Sequence, residues 1–264
     1  MNEQKKNKPW ALILGGSSGL GLATAKKLAK HGHPIIIVHR DRRADIEQIE
    51  SDFEEIRAFG NPFMSFNADA LHPEKRKNIL KSIKEGMSID ASIGVVVHSL
   101  AKGSLKPMFS EKGTVLSDTD FRITFDAMAL SLYDWTKALI NTELLAQDTR
   151  IISFTSEGNT RALPGYAAVS VAKVALESLT RNMALEFAPL GIKANCIQAG
   201  VTVTKALQLI PGFESIIANA LQRNPNNRLT TPIDVANAVY LLTLPEAAWV
   251  TGTVLKVDGG ESLL

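Results

Sequence analysis

Cysteine is almost missing from this 264-residue chain: Cys196 stands alone, so no intramolecular disulfide and no multi-cysteine zinc site can be built from it, and a reducing compartment suits it. The histidines His31, His33, His39, His72 and His98 lack His-Glu-x-x-His or any comparable spacing, and no metal is expected. Long apolar runs are missing too. Nothing approaches the ~20 residues of a membrane span. Lys5, Lys6 and Lys8 precede an apolar run of only five residues, Trp10–Leu14, ended by Gly15, which is too short for a secretory signal. No membrane association is expected, and the cytoplasm is the expected address. Charge of one sign is scarce: the net charge is +2, with Lys and Arg scattered rather than striped, which argues against nucleic acid. Repeats, low-complexity stretches and linkers are absent, so a single domain over 1–264 is expected.

What is present is an alternation. Short β-rich apolar runs fall at Trp10–Leu14, Pro34–Val38, Pro62–Phe66, Ile93–His98, Arg150–Phe154, Ile192–Gln198 and Thr253–Val257. Between them lie segments of helical period: Leu20–His31, Ala44–Phe59, Pro73–Gly86, Thr119–Leu145, Tyr166–Ala188 and Pro232–Leu242. Strands apolar on both faces and alternating with helices predict a parallel sheet covered on both sides. Right-handed crossovers then give an α/β, Rossmann-like doubly wound sheet of about seven strands. The stretch 201–231 breaks the rhythm. It contains Pro211, Gly212 and Pro225, with room for short helices over Ala206–Arg223, and is read as a lid over a substrate.

The first strand runs into Gly15-Gly16-Ser17-Ser18-Gly19-Leu20-Gly21, and a helix follows. Glycines at 15, 19 and 21 permit a tight turn, close approach of backbone to a pyrophosphate, and close packing of helix on strand; the helix N-terminus adds free N–H groups. Ser17 and Ser18 are read as phosphate-loop hydrogen bonders, because no His and Asp partners for a nucleophile are evident. At the end of the second strand, His39-Arg40-Asp41-Arg42-Arg43 places guanidinium groups where a 2′-phosphate would lie, favouring NADPH over NADH. Asp41 is the competing signal, since an acid aimed at the ribose would favour NADH.

Tyr166 and Lys173 are seven residues apart, and Ser156 lies ten before the tyrosine. On one helix, i and i+7 share a face, so both side chains can look into one cleft at the carboxyl edge of the sheet. A free phenol, with a pKa near ~10, is a poor acid at neutral pH. A neighbouring ammonium would make its proton easier to give up.

The Gly-x-x-x-Gly-x-Gly turn resembles that of the short-chain dehydrogenase/reductase family, and the resemblance covers almost the whole chain. Asn67-Ala68-Asp69-Ala70 is similar to the family's adenine-contacting segment, with Asp69 the acid. Thr202 and Thr204, after Ala199-Gly200, resemble the loop that touches the carboxamide and phosphates. Asn224-Pro225-x-x-Arg228, Pro232-x-Asp234-Val235-Ala236 and Val257-Asp258-Gly259-Gly260 resemble its C-terminal landmarks. Ketone-reducing members keep tyrosine four residues before lysine, where this chain has Val169. Tyr-x6-Lys instead resembles the divergent enoyl-acyl-carrier-protein reductases. So do Val97-His98-Ser99-Leu100-Ala101, Phe121-Arg122-Ile123-Thr124-Phe125-Asp126, Lys137-Ala138 and Arg161-Ala162-Leu163-Pro164 before the tyrosine. Met128 stands where ketone reducers keep a helix asparagine, and Ser156 where many enoyl reductases carry a second tyrosine.

This resemblance implies reduction of trans-2-enoyl thioesters on acyl carrier protein or coenzyme A by NADPH, as in fatty-acid synthesis. Tyr166 would then bond the enolate oxygen and Lys173 the nicotinamide ribose. The cofactor would be held by Gly15, Ser17, Ser18, Gly19, Leu20, Gly21, Arg40, Arg42, Asp69, Ala70, Ser99, Lys173, Gly200, Thr202 and Thr204. The resemblance also implies a homotetramer, with Thr119–Leu145 and Tyr166–Ala188 making one interface and the C-terminal strand the other. Cys196 is expected to be a buried small hydrophobe and His98 a structural residue beside the adenosine, while Lys205 and Arg223 would suit an acidic carrier. Two alternatives stay open: reduction of 3-oxoacyl thioesters or other carbonyls, and a non-catalytic NADP-sensing protein.

Overall fold

A computed structural model describes residues 8–264. Lys5 and Lys6 of the N-terminal basic segment lie outside the described residues.

Seven parallel strands form one sheet in the order β3-β2-β1-β4-β5-β6-β7. They are β1 (Trp10–Leu14), β2 (Ile35–His39), β3 (Phe63–Asn67), β4 (Ile93–His98), β5 (Leu145–Ser156), β6 (Ile192–Ala199) and β7 (Val254–Val257). The helices are α1 (Gly19–Lys30), α2 (Ile46–Arg57), α3 (Pro73–Gly86), α4 (Asp118–Phe125), α5 (Ser131–Asn141), α6 (Ala167–Glu186), α7 (Lys205–Gln208), α8 (Phe213–Arg223) and α9 (Pro232–Thr243). Period-2 alternation splits the central strands between two cores. Trp10, Leu12 and Leu14, with Ile36, Val38 and Val96, pack against α3, α5 and α6. Ala11 and Ile13, with Ile35, Ile37, Val95 and Val97, pack against α1, α2 and α9. Each fully buried Leu or Ile contributes about 1.5–3 kcal/mol. Both faces are therefore covered, as the continuous apolar runs predict. Among the described residues no helix is long and apolar enough to cross a membrane.

The expected helix over Thr119–Leu145 is not continuous. It is α4, one π turn over Asp126–Leu130, then α5, and Leu145 already belongs to β5. The Thr124 hydroxyl donates to Asp120 O and that of Ser131 to Ala127 O, back-bonds that loosen a helix on either side of the π turn. Glu143, at φ 57°, turns the chain back without a glycine or proline to announce the stop. Strand β5 is longer than the expected Arg150–Phe154 and ends on Ser156.

The C-terminal landmarks knit together. Arg228 makes two bonds to Asp234, Thr231 and Asp234 form a capping box, and Asn224 Nδ2 donates to Asp258 O. These contacts frame the segment 201–231, whose regular parts are α7 and α8.

Candidate active site

A cleft of about 600 Å³ opens at the carboxyl edge of the sheet. Its floor is the turn between β1 and α1. Gly15 adopts φ +86° and Gly19 φ +55°. A Cβ on Gly15 would meet Ser99 O at 2.5 Å, and one on Gly21 would collide with Gly15 O, so β1, β4 and α1 meet here through bare backbone. Ser99 N donates to Leu14 O, fixing the end of β4 beside the turn. Gly15, Ser18, Gly19, Leu20, Ser99, Gly200, Thr202 and Thr204 line the cleft; Ser17 and Gly21 do not, Gly21 packing instead against Gly15 and Ser99. Ser18, the N-cap of α1, makes no side-chain cap, and the first turn of α1 carries no acid. A helix N-terminus left uncapped at the floor of a cleft is suited to a phosphate.

Ser156, Tyr166 and Lys173 come together on one wall. Tyr166 Oη lies 3.4 Å from Ser156 Oγ. A Cβ on Gly158 would come within 2.6 Å of the Tyr166 ring, so that glycine lets the ring lie against the loop after β5. Tyr166 is the N-cap of α6 rather than part of it, whereas Lys173 lies two turns inside. The helix-face argument therefore gives the right side but not the tyrosine's setting. Lys173 is buried and its Nζ donates to Phe154 O at 2.7 Å. Burial pushes the ammonium down to about 8, with Cys196 and Glu177 drawing it upward. Burial pushes the Tyr166 phenol above its usual value, and only the Ser156 bond acts the other way. The expected acidification of Tyr166 by Lys173 is thus not found.

The remaining wall is apolar. Leu100, Leu105, Met128, Leu163 and Val169 face Leu207, Leu209, Ile210 and Ile216 from α7, α8 and the turn between them. Val169 is 3% exposed and packs with Met128 and Ala172 in a small core of its own.

Residues 15–262 match the family model described as Enoyl-(Acyl carrier protein) reductase. The chain belongs to the short-chain dehydrogenase/reductase family. An uncharacterized oxidoreductase of Mycobacterium tuberculosis is 30% identical over 95% of this chain and 90% of its own. The crystal structure of an enoyl-[acyl-carrier-protein] reductase (NADH) from Aquifex aeolicus superposes with a TM-score of 0.83 at 25% identity, covering 98% of both chains. A short chain dehydrogenase from Burkholderia cenocepacia, in complex with NADP, gives 0.81 at 25% identity over 96% of this chain and 98% of that one. The chain is accordingly an oxidoreductase of the enoyl-reductase-like branch.

The residues expected at the adenosine end form a separate patch beside β2 and β3. Arg40 is exposed and its Nη1 pairs with Asp69 Oδ2 at 2.8 Å, while Asp69 Oδ1 accepts from Leu71 N. Asp41 turns onto the buried ring of His39 at 2.8 Å. Arg42 is exposed next to them. Ala70 is buried, and its carbonyl accepts from Trp135 Nε1. The uncapped helix, the glycine cradle and the exposed Arg40 and Arg42 together fit a phosphorylated dinucleotide.

Several expectations change. His98 is buried at the end of β4 and lines the cleft, with Nε2 2.7 Å from Ser131 Oγ. Cys196 is fully buried, yet its Sγ contacts Ser153 Oγ at 3.0 Å and Thr180 Oγ1 at 3.2 Å. Thr204 caps α7, and the Thr202 hydroxyl donates to Gly200 O. Arg223 is no surface cation. It grips Glu157 with two bonds of 2.8 and 2.7 Å and reaches Glu261 at 3.2 Å. Glu261, 2% exposed, accepts from Val201 N with its other oxygen. Sequence reading missed Glu157, Glu177 and Glu261. Glu177 accepts from Thr155 Oγ1 and from Asn159 Nδ2, tying α6 to both sides of Ser156. Only contact across distant segments reveals these roles; an i+4 step along α6 from Lys173 to Glu177 was the one available sign.

Proposed function

We propose that this reductase saturates the double bond of trans-2-enoyl thioesters with NADPH, the thioester being borne by acyl carrier protein or coenzyme A. One observation carries the reading. Tyr166 is the only tyrosine lining the cleft among the described residues, and the place four residues before Lys173 is filled by Val169, an apolar wall residue packed with Met128. A carbonyl reduced in the usual manner of ketone reducers would find no proton donor there. An oxygen set away from the hydride acceptor, as in an enoyl thioester, would meet Tyr166 at the cleft wall.

The bound cofactor would supply hydride, received at the β-carbon, and a proton taken up from solvent at the α-carbon would complete the saturation. Tyr166, held protonated, donates a hydrogen bond to the thioester oxygen as that oxygen gains negative charge. Ser156 orients the phenol, and Lys173, held by Phe154 O, keeps N–H groups for the ribose. The apolar faces of α7 and α8 exclude water from the acyl chain, which is the lid role of 201–231. NADPH is favoured because Asp41 is engaged by His39 while Arg40 and Arg42 remain exposed.

The test is NADPH consumption with crotonyl against acetoacetyl thioesters, repeated with NADH. Faster turnover of the crotonyl thioester with NADPH is expected. Preference for acetoacetyl would return the protein to the carbonyl reductases, and no turnover of either would favour the sensing alternative.

A further inference from the structure

His98 is 1% exposed at the end of β4, and its ring is held at one edge only. Nε2 lies 2.7 Å from Ser131 Oγ, whereas Nδ1 has no hydrogen-bond partner among the described residues. The tautomer follows from the serine. Ser131 has one hydroxyl proton and lies 2.9 Å from Ala127 O, an acceptor that can take nothing but a donor. With its proton given to Ala127, Ser131 accepts from His98, so Nε2 carries the hydrogen and Nδ1 presents a bare lone pair. The opposite tautomer would set the Nε2 lone pair against those of Ser131 Oγ at 2.7 Å, with no hydrogen between them.

Lys173 presents the complementary deficit. Its ammonium has three N–H groups, and among the described residues one is taken, by Phe154 O. The two groups meet at one strand end: His98 pairs with Ser153 across β4 and β5, Lys173 is held by the carbonyl of the next residue, Phe154, and both line the cleft. A buried acceptor without a donor thus lies near an ammonium that has N–H groups to spare.

We propose that His98 Nδ1 is the internal acceptor for the Lys173 ammonium, directly or across one water, making His98 a positioning residue for the lysine. One N–H then goes to Phe154, one to His98, and the third faces the cleft. An imidazole that stays neutral serves as an acceptor for a cation at any working pH, which a carboxylate would do only by cancelling its charge. The pairing also opposes the burial that brings Lys173 down to about 8. The other titratable groups acting on Lys173 are Cys196 from β6 and Glu177 on its own helix, both drawing it upward, and neither is altered by the test. The inference rests on Lys173 being a cofactor-site residue and is independent of enoyl or carbonyl specificity.

The experiment uses cofactor-free protein, so it needs no turnover. Long-range ¹H–¹⁵N correlation of the imidazoles, with His98 assigned by comparison with His98→Phe, reads the tautomer. Lys173 titration is followed by Cε chemical shift in wild type, His98→Phe and His98→Asn. The Nε2–H tautomer is expected. His98→Phe should lower the Lys173 midpoint by about one pH unit, and the alkaline limb of kcat/KM should move with it. His98→Asn, which returns an acceptor near Nδ1, should recover most of the shift. An Nδ1–H tautomer overturns the proposal, as does an unmoved Lys173 midpoint in His98→Phe protein that still binds NADPH. Should His98→Phe not fold, His98→Ala takes its place, with the same lowered Lys173 midpoint expected and an unmoved one overturning the proposal.

Discussion

At the scale of the residue, burial around Tyr166 holds its proton on, so at neutral pH the side chain is a neutral donor and not a phenolate. A donor is what a developing oxyanion needs. Tyr166→Phe is therefore expected to lower kcat for the enoyl thioester by about 10²–10³-fold, the usual loss for one oxyanion donor. Binding of NADPH, measured by fluorescence titration, should stay within about twofold. Near-normal turnover in that variant would remove Tyr166 from the chemistry. The adenosine end makes a second residue-scale prediction. Arg40 is tied to Asp69 by an exposed pair, a bond of the kind worth ~0–1 kcal/mol, so it can be given up for a phosphate at little cost. Replacing Arg40 and Arg42 together by Ala should raise KM for NADPH about tenfold or more while leaving KM for NADH nearly unchanged. An equal effect on both cofactors would mean that these arginines do not read the 2′-phosphate.

At the scale of the element, the segment 201–231 has a fixed end and a covering part. Arg223 closes α8 and ties it to Glu157, the residue after Ser156, and to Glu261 near the C-terminus. The cover over the cleft is thus pinned to the strand end that carries the serine. Arg223→Ala leaves Glu261 buried without its cation. The expected loss of stability is about 2 kcal/mol, less than for a wholly buried pair because Arg223 and Glu157 retain some solvent contact. KM for the thioester should rise with it. Arg223 holds Glu157 below its usual carboxylate pKa, so the stabilisation is full above the ordinary carboxylate range and is lost as pH falls through the lowered value. Thermal melts of wild type and variant should accordingly converge in acid; parallel curves down to low pH would contradict the clamp. Element existence was legible in the sequence because the central strands are apolar on both faces and the crossovers have helical period. The break at Asp126–Leu130 and the stop at Glu143 were not, since serine and threonine back-bonds and a left-handed glutamate leave no glycine or proline to read.

At the scale of the whole molecule, the sheet order brings Gly15 from β1, Ser99 after β4, Ser156 from β5 and Gly200 after β6 to one edge, although they span most of the chain. That convergence could be foreseen from topology and motif spacing. The ion clusters could not, because Arg223, Glu157 and Glu261 carry no periodicity and are paired only by the closed fold. The outward face of α6 leaves Val171, Val174 and Leu185 exposed, and Leu255 is exposed on edge strand β7. The central claim concerns where hydride goes, and one labelled reaction answers it. NADPH deuterated at the transferable position would be offered crotonyl and acetoacetyl thioesters in the same tube, and the products read by mass and NMR. The account predicts deuterium on the β-carbon of a butyryl thioester, with the acetoacetyl thioester largely untouched. Deuterium on the carbinol carbon of a 3-hydroxybutyryl thioester would contradict it.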